Sequence, residues 1–211
     1  MIIRALLADD HRVVREGIQA LLDREPDIEV VGACGDGRSA VQLASNLRPD
    51  VVVMDIGMPD LNGIDATRQI AAAVPTARVV VLSVYTDKRY VIGALRAGAS
   101  GYVLKVGAHD DLLRAVRAVA AGKHFLSPEI TGVVIEEHTS QHPSKEVLGA
   151  REREVLQLLA EGKTSRQIAH LLHVSVKTVE THRRNIMDKL GMHNVAELTK
   201  YAVREGISTL E

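Results

Sequence analysis

Three carboxylates, one hydroxyl and one lysine close separate apolar runs in this chain. Asp9-Asp10 follow the run 3–8, Asp55 follows Val51-Val52-Val53-Met54, Ser83 follows 79–82, and Lys105 follows Gly101-Tyr102-Val103-Leu104. If the runs are strands of an open parallel sheet, their carboxyl ends face one crevice, where such sheets build their sites. Phosphoryl transfer needs a nucleophile, a cation against the phosphoryl oxygens, and donors for the remaining charge. Carboxylates held close together repel, and a hard cation such as Mg2+ relieves that repulsion while bridging to phosphate. Asp9, Asp10 and Asp55 fit the acidic part, Lys105 supplies a point charge, and Ser83 supplies a hydroxyl donor. An acid after a strand ordinarily just caps the next helix, which is the simpler reading of Asp9 or Asp10 alone. The whole set, each member at a strand end, points to a pocket.

The elements that must position these groups alternate. Apolar runs at 3–8, 28–33, 51–54, 79–82 and 102–104 are separated by helical patterns at 13–22, 39–44, 63–73, 90–97 and 109–121. Continuous apolar strands divided by helices imply a parallel sheet covered on both faces. Five such units predict a doubly wound, five-stranded domain of flavodoxin-like order over residues 1–124. Residues 125–146 read as a linker. Ser127-Pro128 can open a short helix through Glu137, and the polar stretch 138–144 ends at a proline. Residues 147–211 form a four-helix pattern, with helices at 151–161, 165–172, 176–190 and 195–205 and a breaker or cap at each junction.

Composition narrows the classes. The 211 residues are 46% hydrophobic and 25% charged, as in an ordinary globular protein, and only 2% aromatic, so the core must be aliphatic. No apolar stretch is long enough to span a membrane. The first residues enter a strand pattern without a signal-peptide layout, so a cytoplasmic location is expected. Cys34 is the sole cysteine, which excludes an intrachain disulfide and a cysteine-rich zinc site. Net charge is −1. Residues 145–211 hold 11 Lys and Arg against 9 Asp and Glu, and the remainder 15 against 18. This mild asymmetry permits nucleic-acid binding by the C-terminal part without proving it.

Gln167 to Val179 reads as a helix, a short turn and a second helix capped by Ser175. On the second helix, 176–190, Val179, Ile186 and Leu190 share one face with the stem of Arg183. Lys177, Glu180, Thr181, Arg184 and Asp188 lie toward the other. An apolar back with a hydrogen-bonding front suits insertion into a major groove. Arg184 can reach a guanine edge, Thr181 a base or a thymine methyl, and Glu180 a cytosine amine. Lys177, Thr178 and Arg183 suit phosphate contacts, and Lys189 is a further DNA-binding candidate. Periodicity alone equally describes a solvated surface helix. His170, His173, His182 and His193 have no acidic or cysteine partner at ligand spacing, so surface or DNA-backbone contacts are expected of them rather than metal binding.

Two resemblances sharpen these readings. Asp55-Ile56-Gly57-Met58-Pro59-Asp60-Leu61-Asn62-Gly63 resembles the phosphorylation loop of two-component receiver domains, and Asp9-Asp10, Ser83 and Lys105 fall where that family keeps its other site residues. The resemblance implies that Asp55 accepts a phosphoryl group from a histidine kinase. It implies that Asp9, Asp10, Asp55 and the Gly57 carbonyl hold Mg2+, that Ser83 bonds the phosphoryl group, and that Lys105 pairs with it. Tyr102 matches the aromatic that family members turn inward on activation, and is also readable as a half-buried strand tyrosine. Val84 departs from the smaller residue common there, so tighter access is expected; Gly57 and Tyr85 flank the pocket. Residues 148–206 are similar to LuxR-type helix-turn-helix domains, with Gly149-Ala150 where a Thr or Ser cap is usual.

Together the halves resemble a response regulator of the NarL/FixJ subfamily. That implies phosphorylation-controlled transcription regulation, with the receiver masking the recognition helix or the dimer surface until Asp55 is phosphorylated. The implied partners are a sensor histidine kinase, double-stranded promoter DNA, a second copy of the chain through 195–201, and RNA polymerase. The rival readings are a Mg2+-dependent phosphatase with Asp55 as nucleophile and a phosphate-independent DNA-binding module. The first lacks a second acid poised to activate water and a cap over a substrate. The complete acidic, hydroxyl and lysine set argues against the second.

Overall fold

The computed structural model describes residues 2–106, 108–139 and 147–208. The chain divides into two compact units, Met1–Gln141 and His142–Glu211.

In the first unit, β1 (Ile3–Ala8), β2 (Ile28–Cys34), β3 (Val51–Met54), β4 (Arg78–Ser83), β5 (Gly101–Leu104) and β6 (Phe125–Leu126) form one parallel sheet of order β2-β1-β3-β4-β5-β6. The alternating residues of its central strands feed two aliphatic layers. Leu6, Val52, Met54 and Val81 pack with α2 (Gly37–Leu47), α3 (Gly63–Ala73) and α4 (Lys88–Arg96) on one face. Leu7, Val53, Val80 and Leu82 pack with α1 (Arg12–Leu22) and α5 (Ala108–Ala120) on the other. Burial on both faces is why these strands read as unbroken apolar runs. Helix starts follow cap chemistry: the side chains of Asp36, Asn62 and Asp87 accept from backbone N–H groups in the first turns of α2, α3 and α4.

Two features differ from the sequence expectation. The sheet has six strands, not five, because Phe125–Leu126 pairs with Gly101 and Tyr102. Two residues are too few to carry a strand periodicity, so only the exposed edge of β5 specifies this pairing. The segment expected as a linker begins with this strand and continues into α6 (Pro128–Thr139), which packs on α4 through Ile130, Val133 and Val134. Glu137 also bonds Lys88 (2.6 Å) and Arg96 (2.8 Å) of α4. The expected helix through Glu137 is therefore present and belongs to the first unit. Most of the polar stretch 138–144 lies outside the described residues.

Among its described residues the second unit holds four helices, α7 (Ala150–Ala160), α8 (Ser165–Leu171), α9 (Val176–Leu190) and α10 (Val195–Arg204). They enclose Val155, Leu156, Leu158, Ile168, Val179, Ile186, Leu198 and Ala202. Thr164 and Gln167 close a reciprocal capping box on α8, and Ser175 caps α9 through the Thr178 N–H (3.0 Å). Among the described residues no helix is long and apolar enough to cross a membrane.

Candidate functional site

The strand order brings the sequence-predicted residues together. β1, β3, β4 and β5 are consecutive neighbours in register, with Ala8 beside Met54, Met54 beside Val81, and Ser83 beside Leu104. Residues one step beyond these pairs emerge side by side. The ladder continues into them: Asp55 N–H donates to the Ala8 carbonyl (2.8 Å) and Lys105 N–H to the Ser83 carbonyl (2.8 Å). β2 lies on one side of β1 and β3 on the other, so the connections leaving β1 and β3 diverge and open a crevice there.

Lys105 Nζ sits 2.8 Å from Asp9 Oδ2 and 2.9 Å from Asp55 Oδ2. Asp55 Oδ1 accepts from its neighbour's Ile56 N–H (2.8 Å), and Asp9 Oδ1 from His11 N–H (2.9 Å). Burial pushes the Asp55 carboxyl above the usual aspartate range, against the opposing pull of Lys105. Burial works to lower the Lys105 ammonium, but contact with Asp9 and the charge of Asp55 outweigh it and hold it above the ordinary lysine value.

Two oxygens remain under-served. Asp9 Oδ2 meets the Lys105 ammonium at 2.8 Å, and Asp10 Oδ1 lies 2.7 Å from His11 Nδ1. Neither contact is aligned as a hydrogen bond, so both oxygens are buried without a donor. Ligand atoms of Asp9, Asp10, His11 and Asp55 all lie within 4.8 Å of one another. Clustered, incompletely bonded carboxylate oxygens suit a hard divalent cation, so the residues present fit Mg2+. Gly57, the fourth expected contributor, is half-buried in the loop after Asp55. That loop is held tightly: a Cβ at Gly63 would fall 1.8 Å from the Asp55 carbonyl oxygen, which explains the glycine.

Ser83 is fully buried, and its Oγ accepts from the Tyr85 N–H (3.1 Å). Tyr102 is also fully buried, not half-buried, and its hydroxyl donates to the Tyr85 carbonyl (2.7 Å). Burial raises its phenol well above the usual range. Tyr85 is thus bonded through both backbone groups, and its ring stacks on Tyr90 of α4 at 4.2 Å. Val84, between them, is 60% exposed. Sequence reasoning overlooked two neighbours of the pocket. His11 directly follows Asp9-Asp10, a visible adjacency. Arg15, one turn into α1, donates to the Asp9 carbonyl, which only folding reveals.

In the second unit, α9 buries Val179 and Ile186 and exposes Lys177, Thr181, Arg184, Asn185 and Asp188. Asn185, unassigned from sequence, shares the exposed face with Thr181. Other expected DNA contacts are engaged within the unit. Glu180 is half-buried and accepts from Ser165 Oγ of α8. Thr178 Oγ1 pairs with the cap hydroxyl of Ser175 (2.8 Å), and Arg183 is half-buried. Lys189 Nζ donates to Glu152 Oε2 of α7 (2.7 Å), whose same oxygen accepts from Gly149 N–H (2.8 Å). Glu152 thereby supplies half of a capping box where glycine cannot. On α10, Leu198 and Ala202 are spent on the unit's own core.

The chain matches two known families in tandem: the response regulator receiver domain over residues 5–117, and the bacterial regulatory proteins of the luxR family over residues 146–202. It is 39% identical to the transcriptional regulatory protein LiaR of Bacillus subtilis (strain 168), over 96% of this chain and 97% of that one. It is 37% identical to the transcriptional regulatory protein DegU of Brevibacillus brevis, over 97% and 94%. Among solved structures it is similar to the RcsB response regulator of Salmonella typhimurium, at TM-score 0.66, 30% identity and 99% coverage of each chain. An RcsB–DNA complex matches at TM-score 0.61 and 29% identity, over 95% of this chain and 98% of that one.

Proposed function

Because the chain belongs to the response regulators that join a receiver to a LuxR-type DNA-binding domain, we propose that phosphoryl transfer to Asp55 controls how tightly α9 holds promoter DNA. The protein is a DNA-binding transcriptional regulator of a two-component system, not an enzyme. The observation that carries the control reading is the clustering of Asp9, Asp10 and Asp55, with Lys105 against Asp9 and Asp55 and two buried carboxylate oxygens without a hydrogen bond.

In this reading an Asp55 carboxylate oxygen forms the new P–O bond. The P–N bond to the kinase's phosphohistidine breaks, and the imidazole takes the electron pair. Asp9, Asp10, Asp55 and the Gly57 carbonyl would hold Mg2+, which supplies charge neutralisation for the phosphoryl oxygens. Lys105, already 2.9 Å from Asp55, pairs with the phosphoryl group. Ser83 donates to it and in turning gives up the Tyr85 N–H, disturbing the Tyr85 carbonyl that holds Tyr102 and the ring stacked on α4. That gives a two-state element biased by the phosphoryl group.

Arg184 and Thr181, with Asn185 beside them, read base edges, while Lys177 contacts phosphate. Thr178, Glu180, Arg183 and Lys189 act mainly by placing α9. Two RcsB dimers have been solved on DNA, and a homodimer is the form we assign here, through the part of α10 outside the core. A single α9 presents few cations, so pairing should dominate affinity. RNA polymerase is the further partner, and the cytoplasm the site of action. We assign residues 1–124 plus the β6–α6 extension to the receiver, and 147–211 to DNA binding.

The test is DNA binding by the full-length protein in Mg2+, with and without a small phosphoryl donor, beside Asp55→Asn. Donor-dependent tightening only when Asp55 is present supports the reading. Equal binding in every condition removes control from the pocket.

A further inference from the structure

We propose that α6 is a latch. Its C-terminal half is docked on α4 through Glu137 in the unphosphorylated receiver and comes free when Asp55 carries a phosphoryl group, which lengthens the connection to the DNA-binding unit. The inference rests on the control reading above and adds the element that passes the change out of the receiver.

Glu137 grips both ends of α4. Its Oε2 lies 2.6 Å from Lys88 Nζ and its Oε1 2.8 Å from Arg96 Nη2, and these cations are the first and last residues of that helix. Their Cα atoms stand about 12 Å apart along the helix axis. Two long side chains therefore converge on one carboxylate, and a turn or tilt of α4 separates at least one of them. Tyr90, two residues after Lys88, carries the ring stacked on Tyr85, whose N–H is held by Ser83. A continuous line of contacts thus runs from the pocket to Glu137. The other end of α6 is anchored: Ser127 and Ile130 are buried, and the Ser127 N–H donates to the Tyr102 carbonyl (2.9 Å).

The composition of α6 suits release. Its middle, Ile130-Thr131-Gly132-Val133-Val134-Ile135, is five β-branched residues around a glycine, all weak helix formers. A helix of 12 residues is marginal by itself even when built from strong formers. Docking therefore supplies its helicity, through half-buried Val133 and Val134 against the core that contains Tyr90, Val91 and Ala94 of α4, and through Glu137. The plain alternative is a terminal helix packed for stability, with a surface ion pair beside it. Such pairs contribute little to folding. A carboxylate clamped between both ends of the helix on which the Tyr85 ring stacks instead fits a sensor of that helix's position. Once α4 moves, the C-terminal half of α6 loses its support and joins the connector.

Amide exchange of the full-length protein in Mg2+, with and without a small phosphoryl donor, tests this. Gel shifts accompany it, on a duplex selected from a randomised pool by the donor-treated protein. The donor should speed exchange at residues 133–137 about tenfold in wild type and leave Asp55→Asn unchanged. Glu137→Gln should speed the same amides about threefold without donor and tighten donor-free DNA binding to a similar degree, with phosphoryl uptake at Asp55 unaltered. Adding Lys88→Gln and Arg96→Gln to that variant should change little more, because both pairs are already gone. Gly132→Ala, whose new Cβ meets nothing within 4 Å, should slow the exchange and oppose the donor. Donor-dependent DNA binding with unchanged α6 exchange overturns the inference and leaves the control reading standing. So does a Glu137→Gln that alters neither exchange nor donor-free binding. Loss of phosphoryl uptake in Glu137→Gln also overturns it, assigning Glu137 to the receiver's own stability. If wild-type DNA binding ignores the donor, the control reading fails and the latch falls with it.

Discussion

Lysine meets carboxylate in both units, under different conditions. Lys105 is 16% exposed and faces two buried aspartates, with a third acid beside them. Lys189 is 46% exposed and faces Glu152 alone, which is also held by a backbone N–H. The outcomes for the acids are opposite. Burial raises Asp55 above its ordinary value despite the lysine. Burial also works to raise Glu152, but the bonds from Lys189 and Gly149 outweigh it and hold it below. One cation held by two of three clustered acids leaves charge to be met by an incoming ion or phosphoryl group. One cation and one amide on a single acid leave nothing to meet. The first arrangement suits a site, and the second a brace between α7 and α9.

Single substitutions would break or sharpen this contrast. The largest effect is expected from Gly63→Ala, where the new methyl must displace the Asp55 backbone. A loss of more than about 3 kcal/mol, read by urea unfolding, is the expected outcome. Lys105→Met should come next, at about 3 kcal/mol, because it strands buried acids. Millimolar Mg2+ should recover part of the loss. By contrast Lys189→Met should cost under about 1 kcal/mol, as exposed pairs do. Equal losses for the two lysines would erase the distinction.

A third expectation concerns pH. Glu152 is depressed in the folded state, so its stabilisation is present above the ordinary glutamate value of 4.5 and is lost as pH falls through the lower folded value. The protection factors of amides in α7 and α9 of the full-length protein, exchange rates being taken relative to the intrinsic rate at each pH, should therefore fall on acidification below that point. Glu152→Gln should flatten the response; an unaltered profile in that variant would assign it elsewhere. The smallest effect is a gain. Gly149 has extended backbone angles and room for a Cβ, so Gly149→Ser should stabilise the second unit by about 0.5 kcal/mol, visible in its melting temperature.

On DNA, the same comparison separates α9 residues. Arg184→Ala should weaken specific binding by about 1–3 kcal/mol, whereas Lys189→Ala, whose charge already serves Glu152, should shift affinity by less than twofold in a gel-shift titration. A larger loss at Lys189 than at Arg184 would reverse the assignment.

Much of this was legible in sequence because it rests on local patterns. Apolar runs closing on Asp9, Asp55, Ser83 and Lys105, Ser175 before helical periodicity, and the 176–190 helix follow from side-chain chemistry within one turn or one strand. β6 was not legible, since two residues carry no period. Glu180 was placed on the open face by its helical position. Ser165, fifteen residues earlier, draws it back, and a helical wheel contains no such neighbour.

The sequence by itself determined which groups could do chemistry and at which element ends they stand. It also determined that a parallel sheet and a helical unit would carry them, because strand and helix periods are written residue by residue. Only the tertiary structure decided what those groups meet. Strand order set Asp9, Asp55 and Lys105 within 3 Å contacts across some fifty residues of chain at each step, turned His11 toward Asp10, and bonded Tyr102 to the Tyr85 carbonyl. Those contacts depend on through-space distance and on the burial that strengthens charge, and neither quantity exists until the sheet has closed its layers.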